Sequence, residues 1–200
     1  MSIVKPRSQT GVGIIVLQLL ASAPTLAGPQ IWVAVRSEIA FDHERRAVAI
    51  RHVWEFDEFY SASIAGLDTG IDDAPRPPRN WSAPSEALNA LARRGFYTFA
   101  RLGDRKLAFK SPQDVRIETD ARNIVRLRFT LPFDGPFVLD KTLVLDVRDP
   151  DRRVAFGLEI VNPVTMSGNH RGCSVKIIEP EAFVAAYGEQ PPTGAKIACE

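Results

Sequence analysis

The chain has little of what binding and catalytic centres are usually made from. Its 200 residues include two cysteines, three histidines and two methionines. Two cysteines are too few for a disulfide-stapled scaffold. No CxxC, HExxH, GxSxG, GxGxxG or Walker A spacing occurs, so the signatures of zinc ribbons, metalloproteases, serine hydrolases, dinucleotide sites and P-loops are all missing. An excess of one charge is missing too. Lys and Arg number 25 against 24 Asp and Glu, with no dense basic run. That balance removes the electrostatic footprint of a nucleic-acid-binding domain. No repeat of 20–50 residues is visible. What remains is an ordinary 45% hydrophobic content, which excludes disorder, a collagen-like repeat and a polytopic membrane protein.

The N-terminus carries the clearest pattern. Met1 to Thr10 holds Lys5 and Arg7 and no acid, Val12 to Leu20 is mostly apolar, and Ala21 to Ala27 is rich in small residues. A basic start, a short apolar core and a small-residue exit describe a secretory signal peptide. The apolar core is short of the roughly 20 residues of a transmembrane helix. Cleavage after Ala27 places Thr25 and Ala27 at the −3 and −1 positions, whereas cleavage after Ala23 would put Pro24 behind the scissile bond. An uncleaved anchor is the alternative. The expected division is a signal peptide over 1–27 and one domain over 28–200. Export would place Cys173 and Cys199 in an oxidising compartment, where a bridge between them is expected. The chain-entropy account gives roughly 3.5 kcal/mol for a loop of that length. A thiolate pair on a metal is the competing reading, and no CxxC spacing supports it.

Period-2 alternation dominates the body of the chain. Ile31, Val33, Val35, Ile39 and Phe41 alternate, an Asp42-His43-Glu44-Arg45 turn follows, and Val48, Ile50, His52, Trp54 and Phe56 resume. This predicts a hairpin with one buried face. Further strands are expected over 96–101, 105–110, 115–119, 124–131, 142–147, 154–160, 173–179 and 196–199. Short turns at 102–104 and 120–123 argue for antiparallel pairing. Helices are expected in three places. One holds Phe56, Phe59, Tyr60, Ile64 and Leu67 at helical spacing with Asp57 as its cap. The others run over 84–94, stopped by Gly95, and over 181–187, closed by Gly188. The predicted fold class is α+β, a single domain dominated by antiparallel sheet with two or three short helices.

Few residues could carry chemistry. His52 shares a face with Ile50 and Trp54, where a histidine is more often a satisfied core residue than a ligand. Asp57 and Glu58 could be paired carboxylates for acid–base work. They also sit at a helix start, where carboxylates cap free N–H groups and favour the macrodipole. His43 and His170 fall in polar loops. The stretch Asp68-Thr69-Gly70-Ile71-Asp72-Asp73 invites comparison with a calcium-binding loop, but position six is Asp73 instead of glycine. Position twelve is Arg79, where a bidentate carboxylate belongs. His52, Asp57 and Glu58 are therefore the candidate polar contacts of a binding site. No catalytic residue, cofactor or resident metal is expected, and the chain reads as a non-enzyme.

The run Arg51-His52-Val53-Trp54-Glu55-Phe56-Asp57-Glu58-Phe59-Tyr60-Ser61-Ala62, followed by Gly66-Leu67-Asp68-Thr69, resembles the central signature of a bacterial family. That family is the domain-of-unknown-function family 1007, labelled the periplasmic component of an uncharacterised ABC-type transport system. Leu91 to Phe99, Asp149-Pro150, Phe156 and Gly172-Cys173 continue the similarity. The resemblance implies a periplasmic location and a membrane transporter component as partner. It also implies an N-terminal His-Pro-His motif suited to metal capture, and here the matching residues are Gly28-Pro29-Gln30. With both imidazoles replaced, tight Ni²⁺, Co²⁺ or Zn²⁺ binding is not expected. Two readings of function follow. One is an exported accessory or solute-binding-type protein of a transport system, its cargo a small solute or a metal ion. The other is a structural module that docks on a membrane partner. A polar cleft at His52 would favour the first, and a broad apolar or aromatic patch the second.

Overall fold

The computed structural model describes residues 31–64, 91–151, 153–178 and 193–200. Among the described residues there are eleven strands: β1 (Ile31–Phe41), β2 (Arg46–Phe56), β3 (Thr98–Leu102), β4 (Arg105–Lys106), β5 (Gln113–Thr119), β6 (Val125–Val138), β7 (Leu143–Val147), β8 (Val154–Leu158), β9 (Val164–Ser167), β10 (Cys173–Ile178) and β11 (Gly194–Cys199). The helix α1 (Glu58–Ile64) follows β2, and a short turn of 3-10 helix at Gly95–Tyr97 leads into β3. Among the described residues the architecture is mostly β: the expected dominance of antiparallel sheet is present, with less helix than the α+β class implies. The first expected helix is present as α1. Of the second, residues 91–93 are helical, Arg94 lies in a turn and 84–90 lie outside the described residues, as does the whole of the third.

Two sheets share one core. The first has the order β5-β6-β2-β1-β8, with β9 also paired to β1, and the second the order β10-β11-β7-β3-β4. Alternation explains which face turns inward. Val33, Val35, Ile39, Ile50, Trp54, Leu127, Phe129 and Leu131 from the first sheet pack with Ala100, Leu102, Leu143, Leu145, Ala195 and Ile197 from the second. Trp54 is the hub, edge-on to Phe129 at 4.9 Å and to Phe156 at 5.1 Å. Edge-to-face pairs of this kind add roughly 1 kcal/mol beyond the area they bury.

The β1–β2 hairpin forms as expected. Asp42 closes its turn by accepting the N–H groups of Glu44 and Arg46, both at 2.9 Å. Arg45 occupies the left-handed region (φ 63°) and reaches across to donate to the carbonyls of Arg171 and Glu200. Antiparallel pairing holds for most of the ladder. The exception is β1, whose outer edge is paired in parallel with β8 along its first half and β9 along its second. Between them the backbone leaves the sheet after Glu159 N–H bonds the Val35 carbonyl, and returns where the Pro163 carbonyl accepts Ser37 N–H. Ile160 at its tip is fully exposed.

The two cysteines are joined. Cys173 and Cys199 lie directly opposite on β10 and β11 and form a disulfide. The bridge closes the end of an outer strand pair, beside the carbonyls that Arg45 grips.

Candidate functional site

His52 points into the core between the sheets and is 1% exposed. Its strand neighbour Ser37 on β1 places a hydroxyl 3.0 Å from Nδ1, and Thr98 on β3 of the opposite sheet places one 3.3 Å from Nε2. The proton inventory settles the tautomer. The Thr98 hydroxyl donates its single proton to the Phe96 carbonyl at 2.9 Å, so towards His52 it can only accept. Nε2 therefore carries the hydrogen, and Nδ1 accepts from Ser37. Burial alone drives the His52 pKa down to about 3, so the ring is neutral at any ordinary pH. The result is a closed hydrogen-bonded row, Ser37–His52–Thr98, that ties the sheets together.

Asp57 is equally committed. One carboxylate oxygen accepts the Tyr60 N–H at 2.8 Å, the N-cap bond of α1, and the other accepts the Trp32 N–H at 2.8 Å. The cap fixes α1 to the start of β1. Burial and the Asp57 charge together raise the Tyr60 pKa. Glu58 is exposed in the first turn of α1. The three sequence candidates thus do not face a common space: His52 lies inside, Asp57 on the sheet rim and Glu58 in solvent. Ser37, Thr98 and Ser61 escaped the sequence reading. Ser61 is fully buried and accepts the Val125 N–H at 3.0 Å, joining α1 to β6. Ser37 could have been found, because it has the parity of Val35 and Ile39 and stands opposite His52.

A groove of about 280 Å³ opens at this rim, lined by Trp32, Ala34, Glu55, Phe56, Asp57 and Leu158. Trp32 is 49% exposed there, and on neighbouring α1 Phe59 is 64% exposed. The volume sits just under the range of most small-molecule sites, and the groove is open to solvent. Among the described residues no three His, Cys, Asp or Glu side chains gather where they could hold a metal ion. Both sulfurs are in the disulfide, His52 has both nitrogens bonded, His43 lies beside Glu44, and His170 packs against Phe41. These residues do not fit a tight soft-ligand metal site. The Asp68–Asp73 loop lies outside the described residues.

These features define a class: a disulfide-closed, two-sheet β protein in which the buried Ser37, His52, Ser61 and Thr98 bond within the fold. The profile of the family described as "Protein of unknown function (DUF1007)" matches residues 13–188, and the chain belongs to that family. No curated protein matches the chain. Among the described residues no helix is long and apolar enough to cross a membrane.

Proposed function

We propose that the protein is an exported, non-catalytic accessory module of a transport system, working in the periplasm by surface contact with a membrane component. One observation carries the non-catalytic part of this reading. Two of the three polar groups that the sequence offered for chemistry are used up in cohesion, His52 by Ser37 and Thr98 and Asp57 by two backbone N–H groups, and the third, Glu58, stands apart from them in solvent. An imidazole without a free nitrogen, out of water and neutral, can neither ligate nor shuttle a proton. The signal-peptide pattern of residues 1–27 and the Cys173–Cys199 bridge support export, and the family resemblance supports the transport setting.

Photo-crosslinking in the native cell tests it. A photoreactive residue placed at surface positions of the exported chain should link reproducibly to a transporter component, identified by mass spectrometry. Absence of such a link from both sheet faces and the Trp32 rim would overturn the reading. The Trp32 groove favours a second reading, a small solute held at the sheet rim. Saturable quenching of tryptophan fluorescence by a candidate solute, abolished by Trp32→Ala, would support that reading over surface contact.

A further inference from the structure

The two outer sheet faces treat charge differently. On the first sheet, Arg36 is held by Glu159, Arg51 by Glu38, Arg126 by Glu55 and Asp120, and Arg128 by Glu118. Among the described residues of that face Arg116, on edge strand β5, has no such partner. The second sheet is built otherwise. Register places Lys176 opposite Lys196, Lys196 opposite Val144, Val144 opposite Arg101, and Arg101 opposite Lys106. These five residues form one straight row across all five strands. They share the outer face, because the alternate positions Leu143, Leu145, Ala100, Ala195 and Ile197 are buried. All four cations are exposed, and none has an acidic partner among the described residues.

Such a row costs stability, since like charges directly opposite on neighbouring strands repel. Lysine on a sheet edge is commonly protective against aggregation, which would account for Lys106 on β4 and Lys176 on β10. It does not account for Lys196 and Arg101, which lie on the interior strands β11 and β3. The shape of the charge matters as well. The adjacent row is Ile178, Gly194, Asp146 and Phe99, and Asp146 there neutralises Arg148. The cations thus make a line with an apolar midpoint at Val144, roughly 19 Å long at strand spacing, and not a broad disc. A bilayer surface would meet a disc; a line matches a linear polyanion. An extended chain of about six residues spans the same length.

We propose that this row is the docking surface for an acidic, extended segment of a protein partner, its carboxylates on the two cation pairs and an apolar side chain over Val144. The proposal rests on the surface-contact reading above and names the surface.

The test uses the exported chain and a fluorescein-labelled nonapeptide with two glutamates on either side of a central valine, read by fluorescence anisotropy. Binding should weaken roughly tenfold in the Lys176→Thr, Lys196→Thr double variant. It should be unchanged in Lys110→Thr, Arg116→Thr, which removes the same charge elsewhere. Because the row is under like-charge repulsion, the Lys176→Thr, Lys196→Thr variant should melt no lower than the wild type, which separates lost binding from lost folding. Equal weakening in both variants, no peptide binding by the wild type, or preference for phosphatidylglycerol vesicles or polyphosphate over the peptide would each overturn the proposal. A transporter component crosslinked elsewhere with no peptide binding would remove the row and leave the accessory reading; specific peptide binding with no transporter component captured would do the reverse.

Discussion

At the scale of single residues, His52 shows how a chemically capable side chain is turned into a structural one. Its folded pKa of about 3 lies below the ordinary value of 6.5, so the unfolded chain takes up the proton first. Stability from this group is fully present above pH 6.5 and declines as pH falls from there towards 3, by on the order of 1 kcal/mol per pH unit. Urea unfolding at several pH values should show this slope in the wild type and a shallower one in His52→Asn. Equal slopes would mean that the ring is hydrated. Ser37→Ala should cost about 1–3 kcal/mol, because it strands the Nδ1 acceptor in the core. Nitrogen NMR of the histidine ring should report the Nε2–H tautomer in the wild type. The burial of His52 was legible from its parity with Ile50 and Trp54. Its cross-sheet partner was not, since Thr98 lies 46 residues away and one threonine in a strand looks like another. Asp57 was legible as a cap from its place before Glu58, but its second bond, to Trp32, depends on tertiary placement.

At the scale of elements, period-2 patterning located most strands, and it failed where pairing was parallel and short. Val164–Ser167 is four residues long with one buried side chain, so nothing in its pattern distinguishes a strand from a loop; β1 supplies the ladder that makes it one. The turn that ends β9 depends on Gly168, whose φ is +77°, and a Cβ there would come within 1.9 Å of the Phe41 carbonyl oxygen. Gly95 has a similar φ of +59° but open space around it. Gly95→Ala should therefore cost only the left-handed backbone penalty, about 1 kcal/mol, and Gly168→Ala several times that. Thermal unfolding of the two variants side by side checks this, and similar losses would contradict it. The bridge acts on an equally local unit, because β10 is paired to β11 and β11 to β7. Replacing both cysteines by alanine should cost about 3 kcal/mol. Hydrogen exchange should quicken most in β10 and least in the β1–β2 hairpin, and a uniform increase would refute this local role.

At the scale of the whole molecule, the chain combines an interior in which Ser37, His52, Thr98 and Ser61 bond one another or the backbone with two unlike surfaces. One face is laced by ion pairs and the other carries a cationic row that has no acidic partner among the described residues. Net composition hid this contrast, since 25 basic and 24 acidic residues say nothing of how strands sort them. The registers Lys176–Lys196, Lys196–Val144, Val144–Arg101 and Arg101–Lys106 together bring the charges into line. The central claim, that this is an exported module acting outside the reducing cytoplasm, is tested most directly by intact mass and non-reducing peptide mapping of protein taken from its native compartment. The account predicts a chain that begins at Gly28, lighter by two hydrogens than its reduced form, with the Cys173 and Cys199 peptides linked. A product that retains Met1, or two cysteines that alkylate freely, would contradict it.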